Sequence, residues 1–179
     1  MNKELINNVT KYTDNELKQE FIKYFGIEKW NQEEALGKLL LIQIALCNYL
    51  EIEPIPVIVD DILEDSRYYP KESYIVISSN LIDDEVEALK CLIHEMKHYQ
   101  QYMCVIHNIT TVPQLEDWKK DFKTNYANIT SYEEMLTLSV EIDAFAFTKY
   151  IMDKWFNINI NHPEPIYNEL LIRYIKKYF

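Results

Sequence analysis

Two glycines in 179 residues, Gly26 and Gly37, limit what this chain can fold into more than any other feature of its sequence. Glycine takes left-handed backbone conformations at no steric cost, so folds built from hairpins and tight turns use it freely. A chain almost without it is expected to consist of long helices with few sharp reversals. Apolar residues make up 48% of the composition, enough for a sizeable core, and the length suits one compact domain.

Hydrophobic periodicity fills in this outline. Residues 14–25 carry Leu17, Phe21, Ile22 and Phe25 at helical spacing, and the run stops at Gly26. Asn31 and Glu34 resemble a capping box that opens a second helix, to about residue 49. Leu36, Leu39, Leu40, Ile42, Ile44, Leu46 and Leu50 make this helix apolar nearly all round, so it is expected to be the buried central helix. The texture then turns to β. Residues 55–59, 67–70 and 73–78 are short β-rich runs, the last two joined by Lys71-Glu72. Asp83-Asp84-Glu85 supplies an N-cap and an acidic first turn. Val86, Leu89, Leu92, Ile93, Met96 and Tyr99 follow at helical spacing, with no Gly or Pro from Asp83 to Val112. Further on, residues 113–122 read as a short helix and residues 131–156 as a long one. Residues 157–163 read as a loop and residues 165–178 as a terminal helix. The expected class is α+β and mostly helical. Residues 1–52 form N-terminal helices packed on a core of residues 53–179, where a small three-stranded sheet precedes the helix at 83.

His94-Glu95-Met96-Lys97-His98 lies in the middle of that helix and holds two of the chain's four histidines. Residues four apart share a helix face, with about 5–6 Å between Cβ atoms, so both imidazoles can converge on one metal ion. Glu95 is turned about 100° around the helix from His94. It is badly placed as a third ligand and well placed beside a metal-bound water. Two ligands and a general base is the division of labour in H-E-x-x-H zinc peptidases. Cys91, three residues before His94, could approach the same face as a ligand. Yet Cys47, Cys91 and Cys104 form no C-x-x-C pair and read as free, mostly buried thiols.

Catalytic zinc sites use a third protein ligand. The extended H-x-x-G-x-x-H pattern would need glycine at 101 and histidine at 104, where Gln101 and Cys104 stand; His107 falls outside the spacing. A carboxylate from a later helix is the other common solution. Residues 139–147 set Glu141 and Asp143 in an otherwise apolar stretch, and buried acids need a partner that a dication supplies. Two residues apart, they do not share a helix face, so only one is expected to ligate. Glu141 has the longer reach and lies on the face of Thr137, Leu138 and Phe145, so it is favoured. Asp143 lies with Ser139, Val140, Ala146 and Phe147. It is expected to support a ligand histidine or to serve as the fallback ligand.

H-E-M-K-H on one helix, a small sheet before it and E-I-D-A-F-A-F on a later helix together resemble the ImmA/IrrE-like metallopeptidases. These are gluzincin-type proteins of bacteria and their mobile elements. His94, Glu95 and His98 match the first motif; Glu141, Asp143, Ala144 and Phe147 match the second. The resemblance covers roughly residues 55–151. Met96-Lys97 replaces the family's small or apolar pair, Phe145 stands where it has an acid or amide, and Thr148 replaces the final alanine. The resemblance implies a zincin-like domain with Zn2+ held by His94, His98 and Glu141, and Glu95 as general base. It implies limited proteolysis of a protein or peptide substrate, often a repressor or other regulator, in the cytoplasm. An edge of the sheet is then expected beside the metal, holding extended substrate by strand addition. Tyr74, Ile75, Val76, Ile77 and Ser78 are the candidate edge strand, and an ordinary interior strand is the equally open alternative for the same residues.

A donor for the developing oxyanion is expected near the metal. Tyr126, Tyr132 and His162 are candidates, and among 14 tyrosines nothing singles one out. The net charge of −11 argues against nucleic acid as the main ligand. No run of 18 uncharged apolar residues occurs and Met1-Asn2-Lys3-Glu4 does not open a signal peptide, so a cytoplasmic protein with no membrane span is expected. The competing reading is a non-catalytic module in which zinc stabilises a partner-binding fold. Glu95 argues against it, because a structural site has no use for an acid beside its first ligand.

Overall fold

The computed structural model describes residues 32–61, 65–124, 131–162 and 164–179. The helix expected over 14–25, the capping residue Asn31 and Tyr126 lie outside the described residues, as do the side chains of Glu34 and Tyr132. The fold is α+β and mostly helical, with one small mixed sheet.

Helix α1, Gln32–Leu50, buries Ala35, Leu39, Ile42, Ala45 and Leu46. Leu36 and Tyr49 on its other side are 36% and 37% exposed, so α1 is not apolar-buried all round as its composition suggests. Gln43, buried on the same helix, donates from Nε2 to the Ile55 carbonyl and ties α1 to the chain entering the sheet.

Strands β1 (Val57–Asp60), β2 (Arg67–Tyr69) and β3 (Tyr74–Ser78) assemble in the order β1-β3-β2. β3 pairs parallel with β1 and antiparallel with β2, with Tyr68 opposite Ile75. The expectation that Tyr74, Ile75, Val76, Ile77 and Ser78 form the sheet edge is therefore overturned: this strand is the centre. The physical reason is legible afterwards. Ile75, Val76 and Ile77 are all buried, and a continuous apolar run belongs to a strand covered on both faces. The edges instead carry the features that mark edges, a three-residue strand bearing Arg67 on one side and Pro56 leading into the strand on the other.

Helix α2, Glu85–Ile106, is capped by Asp84, whose Oδ1 accepts from the Val86 and Glu87 amides. It is the true centre of the described fold, packing against α1, the sheet and two later helices. It stops well short of Val112, with Asn108 at φ 51°. After α3 (Leu115–Asp121) the helix expected over 131–156 is two: α4 (Tyr132–Met135) and α5 (Ser139–Phe156). Leu138 is extended between them. The Asp121 carboxylate accepts from the Ser139 amide and hydroxyl at 2.6 Å and from the Val140 amide at 3.3 Å. An acid from another helix thus caps α5 two residues before Glu141. Helix α6, Pro165–Tyr178, packs on α5.

One hydrophobic core joins α1, all three strands, α2 and α5. Among the described residues of this glycine-poor chain, the left-handed backbone positions fall on Glu51, Ser73, Asn108 and Asn157, with φ between 51° and 57°. Asn108 and Asn157 end helices, where asparagine bears the conformation better than most residues. No helix among the described residues is long and apolar enough to cross a membrane.

Candidate metal centre

α2 and α5 pack face to face, and the polar residues of an otherwise apolar contact meet at one point. His94 Nε2 and His98 Nε2 lie 3.0 Å apart; Glu141 Oε2 lies 3.3 Å from the first and 3.4 Å from the second. Among the described residues these three form the group able to hold a metal ion. Donor atoms bound tetrahedrally at about 2.0–2.1 Å stand about 3.3 Å from one another. The triangle observed is within a few tenths of an ångström of that, so the residues present fit a small tetrahedral ion.

The choice between the two acids on α5 is clear in the geometry. Glu141 faces both histidines, whereas Asp143 points deeper and accepts from Gln101 Nε2 at 2.8 Å. Gln101 also donates to the Val140 carbonyl at 2.9 Å. Two acceptors on its nitrogen fix the orientation of the amide, so Oε1 faces His98 Nδ1 at 2.9 Å and must accept from it. Neutral His98 then carries its proton on Nδ1 and offers the Nε2 lone pair to the metal. Asp143 supports the ligand histidine at one remove, through Gln101.

Lys97 completes this layer. It is buried, its ammonium 3.3 Å from Asp143 Oδ2 and bonded to Gln100 Oε1 at 2.7 Å. The rings of Trp118, Phe147 and Phe179 surround it, with centroids 5.1–5.5 Å from Nζ. Burial pushes the Lys97 pKa down, and Asp143 opposes that. A lysine in place of the small or apolar residue of similar motifs is thus matched by an acid and an aromatic cage.

Glu95 is 8% exposed and does not join the ligand triangle. Its Oε2 accepts from the Tyr68 amide of β2 at 2.7 Å, so β2 is the strand that touches Glu95. Burial pushes the Glu95 carboxyl up, and the neighbouring His94 and His98 oppose that shift. Burial likewise disfavours charge on His98, but Glu141 overrides it and lifts the pKa to about 9. Glu141 shows the reverse pattern: burial resists its charge, and His98 and His94 hold it well below the usual carboxylate range.

Phe145, one turn after Glu141, packs its ring on His94 with centroids 4.5 Å apart. It fills with an apolar contact the position where similar motifs carry an acid or amide. Cys91 lies outside the donor group, its thiol pKa raised by burial. His107 is the C-cap of α2. Of the three oxyanion candidates only His162 has a described side chain; it lines the pocket that Phe145 also lines. Its Nδ1 accepts from the Glu164 amide at 3.0 Å, which leaves the proton of the neutral ring on Nε2.

Sequence reading passed over Gln101, Asp121 and the Tyr68 amide. Gln101, three residues past His98, carried a usable sign, since i and i+3 share a helix face. The other two act across 18 and 27 residues of chain and leave no local trace. Comparison with known proteins finds no matching family model, no matching curated protein and no matching solved structure.

Proposed function

We propose that this protein is a zinc-dependent metallopeptidase that hydrolyses a peptide bond in a protein substrate. The observation that carries the reading is the convergence of His94, His98 and Glu141 on one point with Glu95 held beside it and out of the ligand set. Two imidazoles and one carboxylate, the three donors found among the described residues, match the protein ligands of a catalytic zinc site. A structural site would have no use for Glu95.

Zinc bound there supplies Lewis acidity, lowering the pKa of water and polarising the scissile carbonyl. Glu95 takes the proton of the attacking water and delivers it to the leaving amine nitrogen. The Tyr68 amide anchors Oε2, so the carboxylate keeps one orientation through both transfers. Gln101 holds His98 in the tautomer that presents Nε2, and Asp143 with Lys97 holds Gln101. The likeness to ImmA/IrrE-like metallopeptidases adds the class of substrate, a cytoplasmic regulator or repressor.

Metal content by elemental mass spectrometry, on wild type, His98→Ala, Glu141→Ala and Asp143→Ala, tests the site. About one zinc per chain is expected in the wild type, lost with His98→Ala and Glu141→Ala and retained, more weakly, in Asp143→Ala. Glu95→Gln should keep zinc and fold while abolishing cleavage of a proteome-derived peptide library. A wild-type protein that takes up no zinc sinks the proposal. Zinc without any cleavage favours the module that uses metal only to stabilise a partner-binding fold.

A further inference from the structure

Beyond the metal centre, the groove between α2 and α5 widens into a pocket of about 480 Å³. Its lining includes Lys90, Phe145, Lys149, Ile160, His162 and Leu171. Lys90 is one turn before His94 on α2, and Phe145 is one turn after Glu141 on α5, its ring against His94. A helical turn rises about 5.4 Å, and an extended peptide advances about 3.3–3.6 Å per residue. A group held at the three ligands therefore has the pocket mouth within one or two residues along its chain.

The pocket has a built wall. Lys149, buried on α5, donates to Asn159 Oδ1 at 3.0 Å, to Asn161 Oδ1 at 3.1 Å and to the Ile160 carbonyl. These bonds stitch the loop after α5 back onto the helix and bring Ile160 to the lining. They also occupy the Lys149 ammonium, while that of Lys90 is paired with Glu87 at 2.7 Å. With both lysine charges engaged and Asn161 Oδ1 taken up by Lys149, Phe145, Ile160, Leu171 and the methylene stems of the lysines form the apolar part of the lining, with His162 and Glu164 as its polar part. Its volume falls within the range of about 300–1,000 Å³ usual for ligand pockets lined this way.

We propose that this pocket binds a bulky apolar side chain of the substrate, on the residue next to the scissile bond, and so sets the cleavage specificity. The proposal rests on the peptidase reading. Its test uses binding rather than turnover, so that the two can fail separately. Zinc-loaded full-length protein is titrated calorimetrically with dipeptide hydroxamates that share the metal-binding group and differ in one side chain: alanine, leucine, phenylalanine or aspartate. Leucine and phenylalanine should bind about ten-fold or more tighter than alanine. Ile160→Trp, which fills the pocket, should erase that preference, and Leu171→Ala, which enlarges it, should move it towards phenylalanine. Equal affinities across the series, or a preference for aspartate, overturn the pocket assignment while leaving the metal centre intact. A preference that survives both variants overturns it too. Protein that retains zinc but binds no hydroxamate removes the peptidase reading and the pocket assignment together.

Discussion

Gln101 does more for the metal centre than its chemistry suggests. Fully buried, it is the only bridge described between His98 and Asp143, and it fixes which imidazole nitrogen faces the metal. Gln101→Leu keeps the volume and removes the acceptor, leaving His98 free to rotate or to adopt the other tautomer. Zinc affinity should fall about 10–100-fold with helix content unchanged, read by competition with a chelator of known affinity. A second residue-scale prediction concerns protons. Glu141 raises the His98 pKa to about 9, above its ordinary 6.5, so at neutral pH the metal-free ring holds a proton that the metal must displace. Apparent zinc affinity should therefore rise with pH towards 9 and level off above it. Calorimetry at pH 7 in buffers of different ionisation enthalpy should show close to one proton released per zinc. Affinity independent of pH between 6 and 9 would contradict the pairing of His98 with Glu141.

Among elements, the start of α5 decides whether a metal site exists at all. Glu141 is in the first turn of this helix, and that turn is held by Asp121 rather than by a residue of its own. Asp121→Ala should destabilise the protein by about 1–2 kcal/mol, the usual effect of losing a helix cap, in urea unfolding. It should also weaken zinc binding, because a frayed first turn no longer presents Glu141 to the histidines. Asp121→Asn, which keeps an acceptor, should recover most of both losses. The sheet makes a similar point about position. β3 gives the sheet its stability by pairing on both sides, so it has no edge to lend to a substrate. β2 is short, but Tyr68 fixes it by burying its ring in the core and giving its amide to Glu95.

At the scale of the whole molecule, the metal site and the core are one structure. α2 and α5 contribute both the three ligands and much of the buried apolar surface, and the Lys97 cage draws in α3 and the residue after α6. Ligand binding to the folded state alone stabilises it by about 4 kcal/mol at a thousand times the dissociation constant. Chelating zinc should therefore lower the melting temperature by on the order of 10 °C for a chain of this size. His98→Ala should melt at the same temperature with and without chelator. An unchanged wild-type melting curve after chelation would show that the fold does not use the site.

What was legible in the sequence is what repeats locally. Helical spacing marked α6 to within a few residues, and Asp84 announced the start of α2 by itself, though not its end. The i, i+4 relation of His94 and His98 needed only helix geometry to bring two rings together, and reach with face assignment favoured Glu141 over Asp143. These follow from a chain that is regular over single turns. The strand order, the split between α4 and α5 and the anchoring of Glu95 could be decided only by the tertiary structure. Each depends on which surfaces meet: Ile75 to Ile77 are central because elements cover both faces, and Asp121 caps α5 because α3 lies beside its first turn. A local pattern can say that a residue will be buried or that a helix will begin. Which partner it meets there is set by packing across the chain, where the energy of contact no longer depends on sequence distance.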